Sequence, residues 1–438
     1  MRIIYLLLKP ILNYSFRVYF PRMAFNNSPK TFFGRTIFVS NHASSFMDPI
    51  TIAALNRPII FFLTRSDVFT KITKPLLWLC HMLPIYRQQD GTDTKDKNEA
   101  VFRRCSRILS YGRNLLIFGE GFTDDTFIRR LKPIKKGAVR IGFSTLESIN
   151  WKKKIHIAAV GINYSDPNKM RSDYLVSYSD KICLNDYREE YERNPNKVIA
   201  DLTKKIEELM QEQITHVEKK ELAPFHENMM IITRKGMNAK SFNRSIPLKK
   251  RWKYSQNLAH WLNEQKVTED SELGKLKTSL EEHMRMLKTK NIESQHVYWK
   301  AHSGSLSKEV MALIFLFPFA IIGLVHCFIP YIIAKRFTEK SFKRKVFWGS
   351  VKMMLGQLLI AIYNIPVFFL FYYFVYPSWW LAVGYYFSIG LTGLAAYKWF
   401  EYLADYKAKK EIAKADITDL INRTEELKRK IEQLVPVA

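Results

Sequence analysis

The sequence predicts an α/β domain with a mostly parallel sheet, joined to a helical accessory region and C-terminal membrane helices. Three observations carry this. From Gly34 to about Ser179, short β-rich apolar runs alternate with helical stretches, as in a largely buried sheet with helices packed on it. From 186 to 305 the pattern becomes amphipathic and rich in Lys and Glu, and beyond Val310 three long apolar stretches carry few charges. A chain of 438 residues is long enough for a main core and at least one further region.

Residues 1–33 open with M-R-I-I-Y-L-L-L-K-P, an apolar run too short to cross a bilayer or to serve as a cleaved leader. Its mixture of Arg2, Lys9, Arg17 and Arg22 with Leu, Phe and Tyr suits amphipathic, membrane-associated helices; packing on the domain would use the same pattern. In the α/β domain, 34–185, candidate strands are Ile37–Ser40, Ile59–Leu63, Leu115–Phe118, Ile155–Ile162 and Tyr174–Tyr178. Candidate helices are Pro49–Leu55, Phe69–His81, Lys97–Tyr111 and Lys135–Ser144, and Asp90–Lys97 is a polar connector. The accessory region has an amphipathic helix over Val198–Val217 and further helices over Trp252–Leu262 and Leu276–Leu287. Its histidines lack ligand-like spacing, so no metal site is expected.

The membrane region, 306–400, divides in two. Leu355–Tyr376 and Trp379–Phe400 are separated only by Pro377-Ser378 and form a hairpin. Lys335, Arg336, Lys340, Lys343, Arg344, Lys345 and Lys352 precede it, and Lys398, Lys407, Lys409 and Lys410 lie at its far end, which puts both outer ends on the cytoplasmic face. Val310–Phe337 is interrupted by Pro318, Gly323 and Pro330 and is expected to enter and return on one face, keeping the α/β domain cytoplasmic. In the tail, 401–438, Ile417, Leu420, Thr424, Leu427, Ile431 and Leu434 are spaced as a short heptad seam. That seam suits a homodimer through the C-terminal helix or docking on the helical region.

Charge and cysteine usage narrow the function classes. Lys and Arg number 68 against 41 Asp and Glu, a net charge of +27. With no zinc-finger, helix-turn-helix or RNA-binding signature, the excess points to membrane lipids and anionic small substrates and away from nucleic acid. The four cysteines have neither metal nor redox spacing.

The chemistry centres on Ile37–Pro49, I-F-V-S-N-H-A-S-S-F-M-D-P. A strand delivering His42 at its end, with Asp48 in the turn or first helical turn beyond, suits a general base whose tautomer an acid holds. A His and an Asp at this spacing also arise by chance, so the pair gains weight from the blocks that follow. Arg87, after Leu83–Tyr86, offers a bidentate fork suited to a phosphate. In Phe118-Gly119-Glu120-Gly121-Phe122-Thr123 two glycines permit close backbone approach, while Glu120 suits an acceptor hydroxyl or the Arg87 fork. Lys132 and Lys135 belong to a basic run before a helix, where cations need anions as company. Phosphates of a coenzyme, a carrier protein or a lipid headgroup would supply them; a solvated basic face is the plainer reading.

These blocks resemble the glycerolipid acyltransferase family in order: Asn41-His42 to Asp48-Pro49, Leu83-Pro84-Ile85-Tyr86-Arg87, Phe118-Gly119-Glu120-Gly121 with Thr123, and Ala158-Ala159-Val160-Gly161. Residues 30–185 carry the resemblance. It implies catalysis by His42 and Asp48, substrate binding by Arg87, Glu120, Gly121, Thr123, Lys132 and Lys135, and no resident cofactor or metal. The donor implied is acyl-CoA or acyl-carrier protein. The five residues between His42 and Asp48 are similar to glycerol-3-phosphate members, with lysophosphatidate (1-acylglycerol-3-phosphate) as the alternative acceptor. Gly119 stands where the family usually has Pro, which leaves a non-catalytic lipid-binding protein as a rival reading.

Overall fold

The structure, a computed structural model, describes residues 2–71, 73–86, 94–302 and 304–436. Its strands are β1 (Arg22–Asn26), β2 (Thr36–Ser40), β3 (Ile60–Arg65), β4 (Met82–Ile85), β5 (Asn114–Phe118), β6 (His156–Tyr164), β7 (Asp173–Tyr178) and β8 (Ile182–Cys183). They form one sheet in the order β1-β7-β6-β2-β5-β3-β4, with β8 beside part of β6. β6 pairs antiparallel with β7 and β8, and the other pairings are parallel. The mostly parallel sheet expected from the sequence is present.

Alternate residues of the central strands feed two cores. Ile37, Val39, Leu115, Ile157 and Ala159 join a cluster completed by helices Thr94–Ser110, Gly137–Ser148 and Pro195–Gln213. Phe38, Leu116, Ala158 and Val160 face the other way, onto helices Arg2–Tyr19 and Met47–Leu55. With both faces covered, β2 is buried at every position, which is why it reads as an unbroken apolar run.

The N-terminal region needs a correction. Its helix stops at Tyr19, and Arg22–Asn26 forms edge strand β1 alongside β7. An ion triad accounts for the strand: Arg22 and Arg251 both engage the buried Asp173 carboxylate, Arg251 at 2.8 Å. Helix Arg2–Tyr19 packs on the domain through one face. Tyr5, Phe16 and Tyr19 are buried in the core, while Leu7, Ile11 and Tyr14 are exposed on the opposite side. The helix expected over Phe69–His81 is shorter, Thr73–Leu79, and Met82–Ile85 beyond it forms edge strand β4 against β3.

Helices Ala223–Thr233, Leu248–Glu264 and Glu272–Thr289 build the accessory region around their own core. The tail helix Thr418–Leu434 buries Leu427 and Ile431 in that core and Leu420 beside it. Its seam is therefore used within the chain, docked on the helical region. Arg129 fastens the region to the sheet, donating to Tyr164 O at 2.8 Å and Met237 O at 2.6 Å and pairing with Glu227.

Ser307–Ser341 and Lys345–Val375 are long and apolar enough to cross a membrane by length and composition. Their outward side chains are large and apolar, Phe315 and Phe374 among them. A third helix, Trp379–Lys414, returns beside the second, with Tyr386 Oη donating to Ala361 O. The first half of Ser307–Ser341 runs against this third helix, from Lys409 opposite Glu309 to Thr392 opposite Gly323. Its second half follows the second helix back, from His326 at Asn364 to Glu339 at Lys352. The Ser307 end of the proline-containing element thus meets the accessory region, where Asp405 joins Lys409 to His296, and the Ser341 end leads to Arg344 at the α/β domain. Near its middle His326 bonds both Asn364 and Tyr385, tying the three elements together.

Candidate active site

Ser40 at the end of β2 is level with Phe118 at the end of β5, so two further residues bring His42 and Glu120 side by side. Glu120 Oε1 accepts the His42 backbone N–H at 3.1 Å. On the other flank, Asn41 continues the β2–β6 ladder with its side chain, donating to Ile162 O at 3.1 Å and accepting from Ile162 N at 2.8 Å. The backbone around His42 is thus held from both neighbouring strands.

The imidazole stacks on Phe118 with ring centroids 4.1 Å apart, and its Nδ1 lies 2.8 Å from Asp48 Oδ2. Asp48 is fully buried in the first turn of helix Met47–Leu55, where the helix N-terminus favours a carboxylate. The same Oδ2 accepts Ser44 N–H at 2.7 Å, and Oδ1 accepts the Tyr164 hydroxyl at 3.0 Å. An acceptor so anchored fixes a proton on Nδ1 and leaves Nε2 as the basic nitrogen, the arrangement required for taking a hydroxyl proton.

Tyr164 was not singled out from the sequence. Nothing in the local pattern marks it: β6 runs two residues past Ile162 and carries it to a position fully buried beneath Asp48. Burial, then the nearby Asp48, push its phenol well above the ordinary value, so it remains a donor. Phe118 and the Ser44 amide were likewise not assigned roles, because ring stacking and backbone donation leave no residue-type signature.

Glu120 is buried, with Oε2 3.6 Å from Lys132 Nζ. Lys132 also pairs with Asp124 at 3.1 Å and donates to Phe122 O, so it serves the turn. Gly121 has φ +77°, a left-handed conformation that glycine adopts without strain, and a Cβ there would meet the Lys135 side chain. Lys135 is exposed, with no carboxylate partner among the described residues. Thr123 is buried, its hydroxyl accepting from Arg344 at 3.1 Å. Arg87 lies outside the described residues. Among the described residues no group of three or more His, Cys, Asp or Glu could hold a metal ion.

Gly119 has a local reason to differ from proline. Its N–H donates to Ser40 O at 3.1 Å, and a Cβ would come within 3.0 Å of Ile134 and Val39 side chains. Proline has no N–H to donate, so glycine preserves the link between β2 and the glutamate turn.

Burial raises the Glu120 carboxyl from 4.5 to about 7, against the His42 N–H and Lys132, which lower it. The folded chain therefore binds this proton more tightly than the unfolded chain, and the associated stability is full below pH 4.5 and lost as pH rises to about 7. Unfolding of the wild type and Glu120→Gln should show the relative stability moving toward the Gln variant across that window, then levelling. A pH-independent difference would mean that Glu120 titrates ordinarily.

A histidine base held by a buried acid at the strand ends of a parallel sheet is arranged to take a hydroxyl proton from a bound acceptor. The Acyltransferase family model matches residues 24–163, and this chain carries a domain of that family from within β1 to near the end of β6. Among solved structures, the chain is similar to the 1-acyl-sn-glycerophosphate (LPA) acyltransferase PlsC from Thermotoga maritima at 16% identity and TM-score 0.31, covering 46% of this chain and 79% of that one. No curated protein matches the chain.

Proposed function

We propose that this enzyme transfers a fatty acyl group from acyl-CoA or acyl-carrier protein to a hydroxyl of glycerol-3-phosphate in phospholipid synthesis, with lysophosphatidate as the alternative acceptor. The observation that supports it is the Asp48-anchored His42 at the end of β2, beside the glycine turn over which Lys135 stands. His42 Nε2 removes the hydroxyl proton as the oxygen attacks the thioester carbonyl. The tetrahedral oxyanion then collapses, the carbon–sulfur bond breaks, and the imidazolium returns its proton to the leaving thiolate. No covalent acyl-enzyme and no resident cofactor enter this sequence. Thiol release by the purified protein in mixed micelles, with palmitoyl-CoA and either acceptor, tests it. Release that does not depend on an acceptor would defeat the proposal, and faster release with lysophosphatidate would reverse the acceptor preference.

Of the two described lysine candidates, Lys135 is the one free for the acceptor phosphate, since Lys132 is engaged by Glu120 and Asp124. Lys135→Ala should raise the acceptor KM roughly tenfold, the scale of one charge-assisted hydrogen bond, while leaving the donor KM in place. Equal changes in both constants would remove Lys135 from the phosphate site. The basic residues between Lys335 and Lys352, and again from Lys398 to Lys410, support an integral membrane protein with its catalytic domain on the cytoplasmic side. Protease accessibility of the α/β domain in sealed vesicles of known orientation tests that placement.

A further inference from the structure

The connector between the two long apolar elements, with the first turn of the second, residues 342–347, reaches both loops that converge on His42. On the glutamate side, Arg344 donates to Thr123 O at 2.6 Å, Thr123 Oγ1 at 3.1 Å and Asp124 O at 3.3 Å, and it pairs with Asp125. Val346, fully buried, donates its backbone N–H to Asp125 O at 3.2 Å. On the histidine side, Phe347 packs on Phe46, two residues before Asp48, with ring centroids 5.6 Å apart. Nearby, Gly349 N–H donates to Asn168 Oδ1, and Met353 is buried in the core beneath β2.

From this juxtaposition we propose that Arg344 is a positioning residue for acyl transfer: it fixes the Phe122–Asp125 turn and, through it, the group that holds the His42 backbone. The inference rests on the acyltransfer reading above. The route is a continuous set of bonds. Arg344 holds the carbonyls of Thr123 and Asp124; the Asp124 carboxylate holds Lys132; Lys132 and the His42 amide hold the two oxygens of Glu120. A guanidinium suits this place because its planar fork serves several oxygens at once, whereas an ammonium offers a point charge. The connector's charge thus belongs to the catalytic architecture as well as to the basic flank of the membrane region.

The test compares full-length wild type, Arg344→Gln and Arg344→Lys in detergent micelles, using palmitoyl-CoA and glycerol-3-phosphate. Arg344→Gln should lower kcat roughly tenfold, the effect of a slightly misplaced base, with the donor KM and melting temperature unchanged. Arg344→Lys should recover part of that loss. Amide hydrogen exchange supplies a readout independent of turnover: Arg344→Gln should speed exchange in 41–48 and 119–125 but not in 156–164. If the wild type released no thiol yet exchange changed in that pattern, the acyltransfer reading would fail while the positioning contact stood. An unchanged kcat, or faster exchange throughout the chain with a lowered melting temperature, would overturn the positioning role.

Discussion

His42→Ala should reduce acceptor-dependent thiol release by roughly 10²- to 10⁴-fold, the range associated with a positioned general base. The fold should survive the change. The side chain is partly exposed, and its removal leaves Asp48 with two donors, Ser44 N–H and the Tyr164 hydroxyl. The backbone bond from residue 42 to Glu120 uses no side-chain atom of the histidine and persists. Melting temperature should therefore stay close to wild type while kcat collapses and the donor KM changes little. Turnover at the wild-type rate in a folded variant would mean that another group takes the hydroxyl proton and would remove the basis for the proposed mechanism.

Local patterns made much of the domain legible. An unbroken apolar strand marks a covered parallel strand, so β2 follows from local pattern; His42 and Asp48 have a spacing that also arises by chance and were legible through the blocks that follow them, and the structure brings the two side chains together. Other parts depend on distant partners. β1 is short and Arg-bearing, and becomes a strand through β7 and the Arg22–Asp173–Arg251 triad, whose members span the α/β and accessory regions. Lys132 and Lys135 are equivalent in sequence, but the turn draws Lys132 toward Glu120 and Asp124 and leaves Lys135 exposed. Thr123 entered as part of the block resembling the family, and its hydroxyl meets Arg344, more than two hundred positions along the chain. Tyr164 acts through the end of a strand on the buried face of Asp48, where neither local periodicity nor motif spacing identifies it.

Asp48→Asn should be nearly as damaging to turnover as loss of the histidine, with a smaller structural cost than its complete burial suggests. The wild-type carboxylate receives three donors: His42 Nδ1–H and Ser44 N–H on Oδ2, and the Tyr164 hydroxyl on Oδ1. An asparagine can place its carbonyl at the Oδ2 position and keep both N–H donors. Its amide then faces Tyr164, whose hydroxyl can turn from donor to acceptor. The hydrogen-bond set survives, but the negative charge that stabilises the imidazolium during proton transfer is gone. A loss of roughly 10²-fold or more in kcat is expected, within the usual contribution of acid–base catalysis, with a modest change in melting temperature. Tyr164→Phe separates the two effects. In the wild-type background it removes a donor from a buried carboxylate oxygen and should cost about 1–3 kcal/mol of stability. In the Asp48→Asn background it leaves an amide N–H without its acceptor, so the double variant should be less stable than Asp48→Asn alone. If Asp48→Asn kept full turnover, Asp48 would hold only the loop; if Tyr164→Phe had no effect on stability in either background, the contact beneath Asp48 would carry no weight in holding the dyad.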